Sequence, residues 1–385
     1  MTTQSGRPDA NGAVFETIQR AIDAGEEIGV QVAAYLDGEL VVDTWAGLAN
    51  PDDGQRVSGE TLFNIFSVSK AIVATAVHIQ AERGLLEYDA PIARYWPEFG
   101  GNGKAEISVR HVLTHRAGIP QMPLGMTVER ICDWNWMTSS ISELSPLTPP
   151  GTHTHYLAMT FGWVLGETVR RTDPLHRSFG RFVKEEISDP LGIADLWFGV
   201  PDQAVPRVAK LFNASPPHAS PPDLFLAAMP PQVALVPEVF SDRRVQQAEL
   251  PAVGGICNAR SCARFWGMLA QGGTLGGVRL LSAERVRAFK QPRPHPAEPD
   301  PVMFGMPLPL SAYGYWLGID RPPVCAVAND TAICSPGAGN SIGWADMDRK
   351  LAVSICHNRM SPSKKRPEDV MARIADSVRS ILAVV

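Results

Sequence analysis

The 385-residue chain lacks several features that would assign a protein to a class at once. No uninterrupted apolar run approaches the ~20 residues that a membrane-spanning helix needs, and the polar stretch 1–7 lacks the apolar core of a signal peptide. Positive charge is not in excess, since 35 Lys and Arg stand against 40 Asp and Glu. The chain therefore has no basic field for nucleic acid or an anionic membrane. We expect a cytoplasmic protein with neither of these as a partner.

Patterns typical of metal sites and disulfides are also scarce. The six cysteines include no Cys-x-x-Cys pair, and without a secretion signal we expect them to be reduced and buried. His153 and His155 have no third ligand at a suitable spacing, and His111 and His115, one helical turn apart, lack a glutamate after the first histidine. We expect these histidines to bond loop or backbone groups, and we expect no metal and no cofactor.

The composition, 45% hydrophobic and 19% charged, is that of a globular protein, and its patterns change along the chain. A predicted helix (13–25) precedes two strands (29–35 and 40–47) that Asp37-Gly38 joins as a hairpin turn. Helical patterns then dominate, and a Pro-, Ala- and Ser-rich stretch (213–239) predicts a loop. The last part predicts strands and a closing helix, at 313–319, 332–334, 341–345, 351–356 and 367–382. This order predicts an α/β domain from 1–75 and 275–385, with a mainly helical domain, 76–274, inserted.

The tetrapeptide Ser67-Val68-Ser69-Lys70 is the motif with the clearest chemistry. A serine and a lysine three residues apart on a helix lie on one face, one turn from each other. A lysine kept neutral by desolvation can accept the serine proton, which makes the hydroxyl a nucleophile. The motif therefore predicts a serine hydrolase of the Ser-Lys type.

A second Ser-x-x-Lys occurs at 361–364, so context must choose between the copies. The second copy lies among Pro, Ser, Lys and Arg, with no apolar wall to lower the pKa of a lysine. Ser67 follows a strand-like segment (61–66) and precedes an apolar helical run (71–77) that Gly84 ends. A serine on a strand-to-helix turn can face a cleft, and its N–H points the way that helix N-termini point. We therefore assign the nucleophile to Ser67.

Two further segments have the chemistry that a Ser-Lys pair needs. Tyr156 follows a Pro-Gly turn and precedes a helix, where it could carry protons between the serine and a leaving group, or simply be a packed aromatic. The glycine-rich stretch 334–341 follows a strand and can bring backbone N–H groups to an oxyanion, or be a plain turn. Trp134 and Trp136 are candidates for the wall of an acyl pocket, with ordinary packing as the alternative. The Gly-x-Ser-x-Gly match at 339–343 continues as strand, which argues against a nucleophile elbow.

With these segments in order, the chain resembles the class C β-lactamase superfamily, particularly its family VIII carboxylesterases and related transesterases. The resemblance spans about residues 15–380 and rests on the stretches 63–70, 95–99, 109–118, 156–167, 254–260 and 336–343. It implies a β-lactamase/penicillin-binding-protein-like α+β fold, in which an antiparallel sheet flanked by helices carries an inserted helical domain and the active site lies at the interface. It also implies that Ser67 is the nucleophile, that Lys70 and Tyr156 form a base and acid couple, and that the N–H groups of Ser67 and Ala338 form the oxyanion hole.

The departures from that family narrow the expected substrate. The Lys-Thr-Gly of β-lactam-processing relatives reads Ser335-Pro336-Gly337 here, and their Tyr-x-Asn reads Tyr156-Leu157-Ala158. Losing both features favours small-molecule esters held mostly by apolar contact, with Ser335 and Gly337 lining the substrate site. The expected function is a carboxylesterase, or an acyltransferase with the same acyl-enzyme. A β-lactamase or D-alanyl peptidase, and a non-catalytic scaffold, are the alternatives. A monomer and a homodimer are both left open.

Overall fold

The computed structural model describes residues 9–213 and 221–382. The predicted absence of a signal peptide concerns residues 1–7 and lies outside the described residues, as does the part of the predicted loop at 214–220. In the described part of the chain, no helix is long and apolar enough to cross a membrane. The cytoplasmic location stays a prediction.

A seven-stranded antiparallel sheet forms the centre of the molecule. This sheet and a smaller one beside it are built from the strands β1 Gly29–Leu36, β2 Glu39–Asn50, β3 Gln55–Arg56, β4 Phe63–Asn64, β5 Leu196–Phe198, β6 Gly255–Cys257, β7 Trp316–Leu317, β8 Ala332–Pro336, β9 Ile342–Asp346 and β10 Leu351–His357. The strands of the large sheet follow the order β7-β8-β9-β10-β1-β2-β3 and come from both ends of the chain. The smaller antiparallel sheet has the order β4-β6-β5. Two-residue strand pairs link Phe212–Asn213 to Arg359–Met360, Thr274–Leu275 to Val278–Arg279, and Pro299–Asp300 to Met306–Pro307.

The turn between β1 and β2 shows how the backbone preferences of two residues fix the pairing of neighbouring strands. Asp37 and Gly38 both have positive φ (52° and 87°), the conformation that a two-residue turn between right-twisted strands requires. Every residue of β1 is buried, because helices cover both faces of the sheet. The helices of at least nine residues are α1 Ala10–Asp23, α2 Ser69–Glu82, α3 Trp134–Ser142, α4 Thr160–Thr172, α5 Ala259–Ala270 and α6 Val370–Ile381. Helices α1 and α6 pack together on one side, and α5 packs on β1, β9 and β10.

Helix α2 begins the helical lobe and is buried along nearly its whole length. It packs against α4 and, at its first turn, lies beside β8 of the central sheet. Shorter helices fill the rest of the lobe and its connections, at Val109–Leu113, Val128–Ile131, Phe179–Val183, Asp223–Ala228, Pro237–Phe240, Arg243–Gln247 and Ala283–Ala288. The fold is thus the β-lactamase/penicillin-binding-protein-like α+β arrangement that the resemblance implies. The start of α2 lies where the helical lobe meets the sheet.

Three details differ from the sequence-based expectations. The strand predicted at 313–319 is reduced to β7, because Gly314 has a φ of 86° and Ser311 bonds Tyr315 across a turn. The loop predicted at 213–239 contains two short α-helices within its described part. Helix α5 falls in the segment assigned to the helical domain but packs on the sheet. We therefore propose that the inserted domain ends before residue 259.

Candidate active site

Ser67 lies on a tight turn between β4 and α2. The turn is a short 3-10 helix (Phe66–Val68), and Phe66 has a φ of +45°, which is strained for a bulky residue. Packing holds it there, since the Phe66 ring lies 5.1 Å from the Phe240 ring. The strand-to-helix turn predicted from the sequence is therefore present. Ser67 is 7% exposed and lies just before the N-terminus of α2.

Lys70 is fully enclosed beside this serine. Its Nζ donates to Ser67 Oγ at 3.0 Å, to Ala158 O at 2.7 Å and to Ala252 O at 3.3 Å. Desolvation by burial lowers the pKa of Lys70 to about 7, because a charged ammonium is costly away from water. No carboxylate of the described chain forms an ion pair with it. The ammonium form donates to all three oxygens. The neutral amine has two N–H donors, which suffice for the Ala158 and Ala252 carbonyls, and a lone pair that is free for Ser67 Oγ, so Lys70 is suited to act as a base near neutral pH.

Tyr156 reaches the same point from the helical lobe. Burial raises the pKa of Tyr156 to about 12 and outweighs the smaller, opposite effect of the Ser67 side chain, which lies close to the hydroxyl. The Lys70 Nζ lies 5.0 Å from the centroid of its ring. The phenol is therefore protonated near neutral pH, which makes it a proton donor and not the phenolate that a nearby ammonium would favour. The structure brings Ser67, Lys70 and Tyr156 together.

His115 supports the tyrosine in a way that sequence analysis missed. Its ring lies between the rings of Tyr156 (4.6 Å between centroids) and Phe161 (5.1 Å). Its Nδ1 accepts the N–H of Leu157 at 2.9 Å, and its carbonyl accepts the N–H of His155. Burial lowers its pKa well below the usual value, so the ring stays neutral and keeps its acceptor nitrogen. The predicted backbone bond of this histidine is present, but its position beside Tyr156 could not be foreseen.

The stretch 335–338 lies against the other side of the serine turn. Ser335 Oγ donates to the main-chain oxygen of Ser67 at 2.8 Å. A Cβ at Gly337 would collide with the main-chain oxygen of Ile65, so only glycine permits this close approach. Ala338 follows immediately and begins a short 3-10 turn. The strand-end segment predicted to supply the second oxyanion donor thus contacts the turn that carries Ser67.

Trp134 and Trp136 make their contacts elsewhere. The Trp134 indole donates to Glu167 and stacks near Phe179, and Trp136 lies over the Arg130 guanidinium. These contacts lie within the helical lobe and favour packing as the role of both tryptophans. We therefore do not include them in the proposed substrate pocket.

The other sequence motifs are also accounted for. The Gly-x-Ser-x-Gly match runs into β9, a strand, as predicted. The second Ser-x-x-Lys lies in irregular chain, with Lys364 exposed. His111 caps its helix through the Ser108 N–H, and His153 contacts Glu298. Among the described residues, no group of three or more His, Cys, Asp or Glu side chains could hold a metal ion. All six cysteines are free, and five of them are buried.

Comparison with known proteins agrees with this geometry. A model of the beta-lactamase family matches residues 15–376. The esterase/beta-lactamase LipL of Mycobacterium tuberculosis is 31% identical over 347 residues, which cover 86% of this chain and 77% of LipL. The crystal structure of a family VIII carboxylesterase has a TM-score of 0.87 at 28% identity, covering 97% of this chain and 98% of its own. A penicillin-binding protein homologue from Caulobacter crescentus has a TM-score of 0.86 at 28% identity, with the same coverage.

The family match extends over nearly the whole chain and includes both lobes and the serine turn between them. The chain therefore belongs to the beta-lactamase family and is a serine hydrolase with the beta-lactamase fold.

Proposed function

We propose that this protein is a carboxylesterase that acts through an acyl-enzyme on Ser67. The observation that carries the proposal is the 3.0 Å contact between Lys70 Nζ and Ser67 Oγ in a buried site, with the Tyr156 ring beside the same amine. A hydroxyl next to a buried, neutral amine is an activated nucleophile that needs no histidine. The esterase names of LipL and of the family VIII structure support the choice of esters as substrates.

The proposed reaction has two halves. In the first, Ser67 Oγ attacks the ester carbonyl carbon while Lys70 takes its proton, and the C–O bond to the alcohol breaks as Tyr156 supplies a proton to the leaving oxygen. Lys70 then passes the proton it took from Ser67 to Tyr156, which restores the phenol. In the second half, water attacks the acyl-serine with the same groups in reverse order, and Ser67 regains its proton. Another alcohol in place of water would make the enzyme an acyltransferase.

The main-chain N–H groups of Ser67 and Ala338 are the proposed oxyanion hole. Two donors aimed at a developing oxyanion are often the largest contribution to catalysis. The proposal is supported by the contact of the 335–338 stretch with the serine turn, through the Ser335 hydroxyl and the close approach of Gly337.

The same stretch supports esters over carboxylated β-lactams. The Ser335 hydroxyl is engaged with the Ser67 carbonyl, and its side chain is 2% exposed, so it presents no cation to a substrate carboxylate. Ala158 offers no side-chain amide, and its carbonyl is taken by Lys70. A site with neither charge nor amide at these positions binds substrates mainly by apolar contact.

Intact-mass spectrometry during turnover of a short-chain nitrophenyl ester tests the proposal. The wild type should gain the mass of the acyl group, and Ser67→Ala should not. Ser361→Ala, in the second Ser-x-x-Lys, is a matched control and should acylate like the wild type. If the wild type neither turns over the ester nor gains mass, and a fluorophosphonate probe leaves Ser67 unlabelled, the chain is a scaffold and the proposal is wrong.

Turnover of a chromogenic cephalosporin distinguishes a carboxylesterase from the remaining alternative, a β-lactamase or D-alanyl peptidase. We expect the kcat/KM of the cephalosporin to fall far below that of the ester with the same enzyme preparation. Equal values for the two substrates would favour a β-lactamase or D-alanyl peptidase.

A further inference from the structure

The loop that carries Tyr156 depends on side chains for its position. The chain from 151 to 159 is irregular, so the bonds of a helix or a sheet do not fix Tyr156 in place. Two anchors come from His115, which accepts the N–H groups of His155 and Leu157, each at 2.9 Å. These bonds hold the loop to the helical lobe. A third anchor, two residues before Tyr156, comes from segment 293–298.

The hydroxyl of Thr154 is this third anchor. It donates to Glu298 Oε2 at 2.9 Å, and it accepts from Arg116 Nη1 at 3.1 Å and from Arg293 Nη1 at 2.6 Å. A hydroxyl has one donor and two lone pairs, so the three partners use its whole capacity. Thr154 is 1% exposed, so it depends on these partners and not on bulk solvent.

The partners of Thr154 are themselves held in place. Arg116 donates to the main-chain oxygens of Gly151 at 2.7 Å and Thr152 at 2.8 Å, and it also pairs with Glu298. Its guanidinium therefore binds the start of the loop and the carboxylate opposite it. Hydrogen bonds to charged groups are stronger than bonds between neutral groups. A neutral hydroxyl bonded to two guanidinium groups and a carboxylate is thus held tightly.

Segment 293–298 is attached to the part of the site that the central sheet forms. The main-chain N–H of Arg293 donates to Leu310 O at 3.0 Å, and the chain then leads into β7. In β7, Trp316 pairs with Cys334 of β8, and its ring lies edge-on to the Tyr156 ring at 6.2 Å between centroids. Strand β8 ends in the 335–338 stretch that contacts the serine turn. Thr154 therefore connects the tyrosine loop to the sheet side of the active site.

We propose that Thr154 is a positioning residue for Tyr156: its hydroxyl, held by Glu298 and the two arginines, keeps the phenol where it can protonate the leaving alcohol. This inference rests on the proposed ester hydrolysis. A general acid must lie within hydrogen-bond reach of the atom that it protonates, and a small displacement slows the reaction strongly.

The leaving group separates this role from a purely structural one. An alkoxide is a poor leaving group that needs the proton of Tyr156, whereas a nitrophenolate leaves without it. The kcat/KM of an ester covers the steps up to formation of the acyl-enzyme. Ethyl butyrate and nitrophenyl butyrate form the same acyl-enzyme, so the ratio of their kcat/KM values reports the proton transfer. Loss of folded protein would lower both values equally and leave the ratio unchanged.

Thr154→Val tests the inference, because valine keeps the branched shape of threonine and lacks the hydroxyl. We expect kcat/KM to fall by about tenfold to a hundredfold for ethyl butyrate and by no more than about threefold for nitrophenyl butyrate. Thr154→Ser keeps the hydroxyl and should retain the wild-type ratio. Thr168→Val is the matched control, since Thr168 is also fully buried but donates to Val164 O within α4. It should retain the wild-type ratio as well.

Combining Thr154→Val with Tyr156→Phe shows whether Thr154 acts through the phenol. Once the phenol is removed, its position no longer matters. The double variant should therefore match Tyr156→Phe in kcat/KM for ethyl butyrate to within about twofold. If the two losses multiply, Thr154 acts on another group and the inference is wrong.

Equal losses on the two esters in a folded Thr154→Val enzyme would also overturn the inference. Far-UV circular dichroism establishes folding. If Thr154→Val does not fold, Glu298→Ala removes the acceptor from the opposite segment at a partly exposed position. It must then show the same selective loss on ethyl butyrate. An absence of the acyl-enzyme on Ser67 in the wild type would refute the proposed function itself, whereas equal losses with an intact acyl-enzyme would refute only the role of Thr154.

Discussion

Replacing Lys70 by methionine should abolish ester hydrolysis yet make the protein more stable than the wild type at pH 7 and less stable than the wild type at pH 9. The methionine side chain is about as long as that of lysine but carries no charge that would lose its hydration on burial. The folded-state pKa of Lys70 is about 7, against 10.5 for the free side chain. Between these values the unfolded chain holds more protons than the folded one, so Lys70 lowers stability most at low pH, and the wild type gains stability as pH rises.

The magnitude follows from the size of that pKa shift. Each unit is about 1.4 kcal/mol, so the wild type should gain about 2 kcal/mol on the variant between pH 7 and pH 9. Methionine also loses the three hydrogen bonds of the amine, at about 1 kcal/mol each. At pH 7 the lowered pKa of Lys70 costs the wild type about 4 kcal/mol, so that loss reduces the variant's advantage to about 1 kcal/mol. At pH 9 the wild type should be the more stable protein by about 1 kcal/mol.

Urea denaturation of both proteins at pH 7, 8 and 9 measures the difference in the free energy of unfolding. The titratable groups that both proteins share contribute equally to the two free energies of unfolding and cancel in the difference. The change of that difference with pH therefore comes from Lys70. A difference that stays constant to within about 0.5 kcal/mol would mean that Lys70 is charged in the folded protein. The proposed base would then be wrong, whatever the activity of the variant.

Other substitutions test the rest of the site. Tyr156→Phe should lower kcat by about a hundredfold or more while the melting temperature changes little; near-normal kcat would remove the phenol from the mechanism. His115→Phe keeps the ring stack but removes the acceptor of the Leu157 N–H, so we expect kcat to fall with KM little changed; a rise in KM alone would argue against a role under Tyr156. Ser335→Ala removes the bond to the Ser67 carbonyl and should cost about 1 kcal/mol in urea denaturation, together with part of the esterase activity. A fully stable and active Ser335→Ala enzyme would show that this bond does not hold the serine turn.

Sequence analysis succeeded where the decisive contacts are local. The Asp37-Gly38 turn and the helix stop at Gly84, with its φ of 72°, need only the backbone preferences of neighbouring residues. The pairing of Ser67 with Lys70 needs only the pitch of a helix. The buried strand-to-helix turn at Ser67, and the partly exposed, irregular chain at the second Ser-x-x-Lys, also follow from the residues on either side of each motif.

It failed where distant segments decide. His115 has no motif around it that points to Tyr156, because the two rings meet only when segments 41 residues apart in the chain pack together. The tryptophans at 134 and 136 could be placed in a pocket from the sequence, since an aromatic side chain suits a pocket and a core equally well. Their contacts with Glu167 and Arg130 were decided by the packing of the helical lobe.

The sequence by itself determined the pairing of Ser67 with Lys70, the fold family and the absence of a lysine at 335, because each depends on residue identity and short spacing. Only the tertiary structure decided the protonation states. Whether an amine is neutral and a phenol stays protonated depends on how much water is removed around it, and that is set by Ala158, Ala252 and other residues far away in the chain.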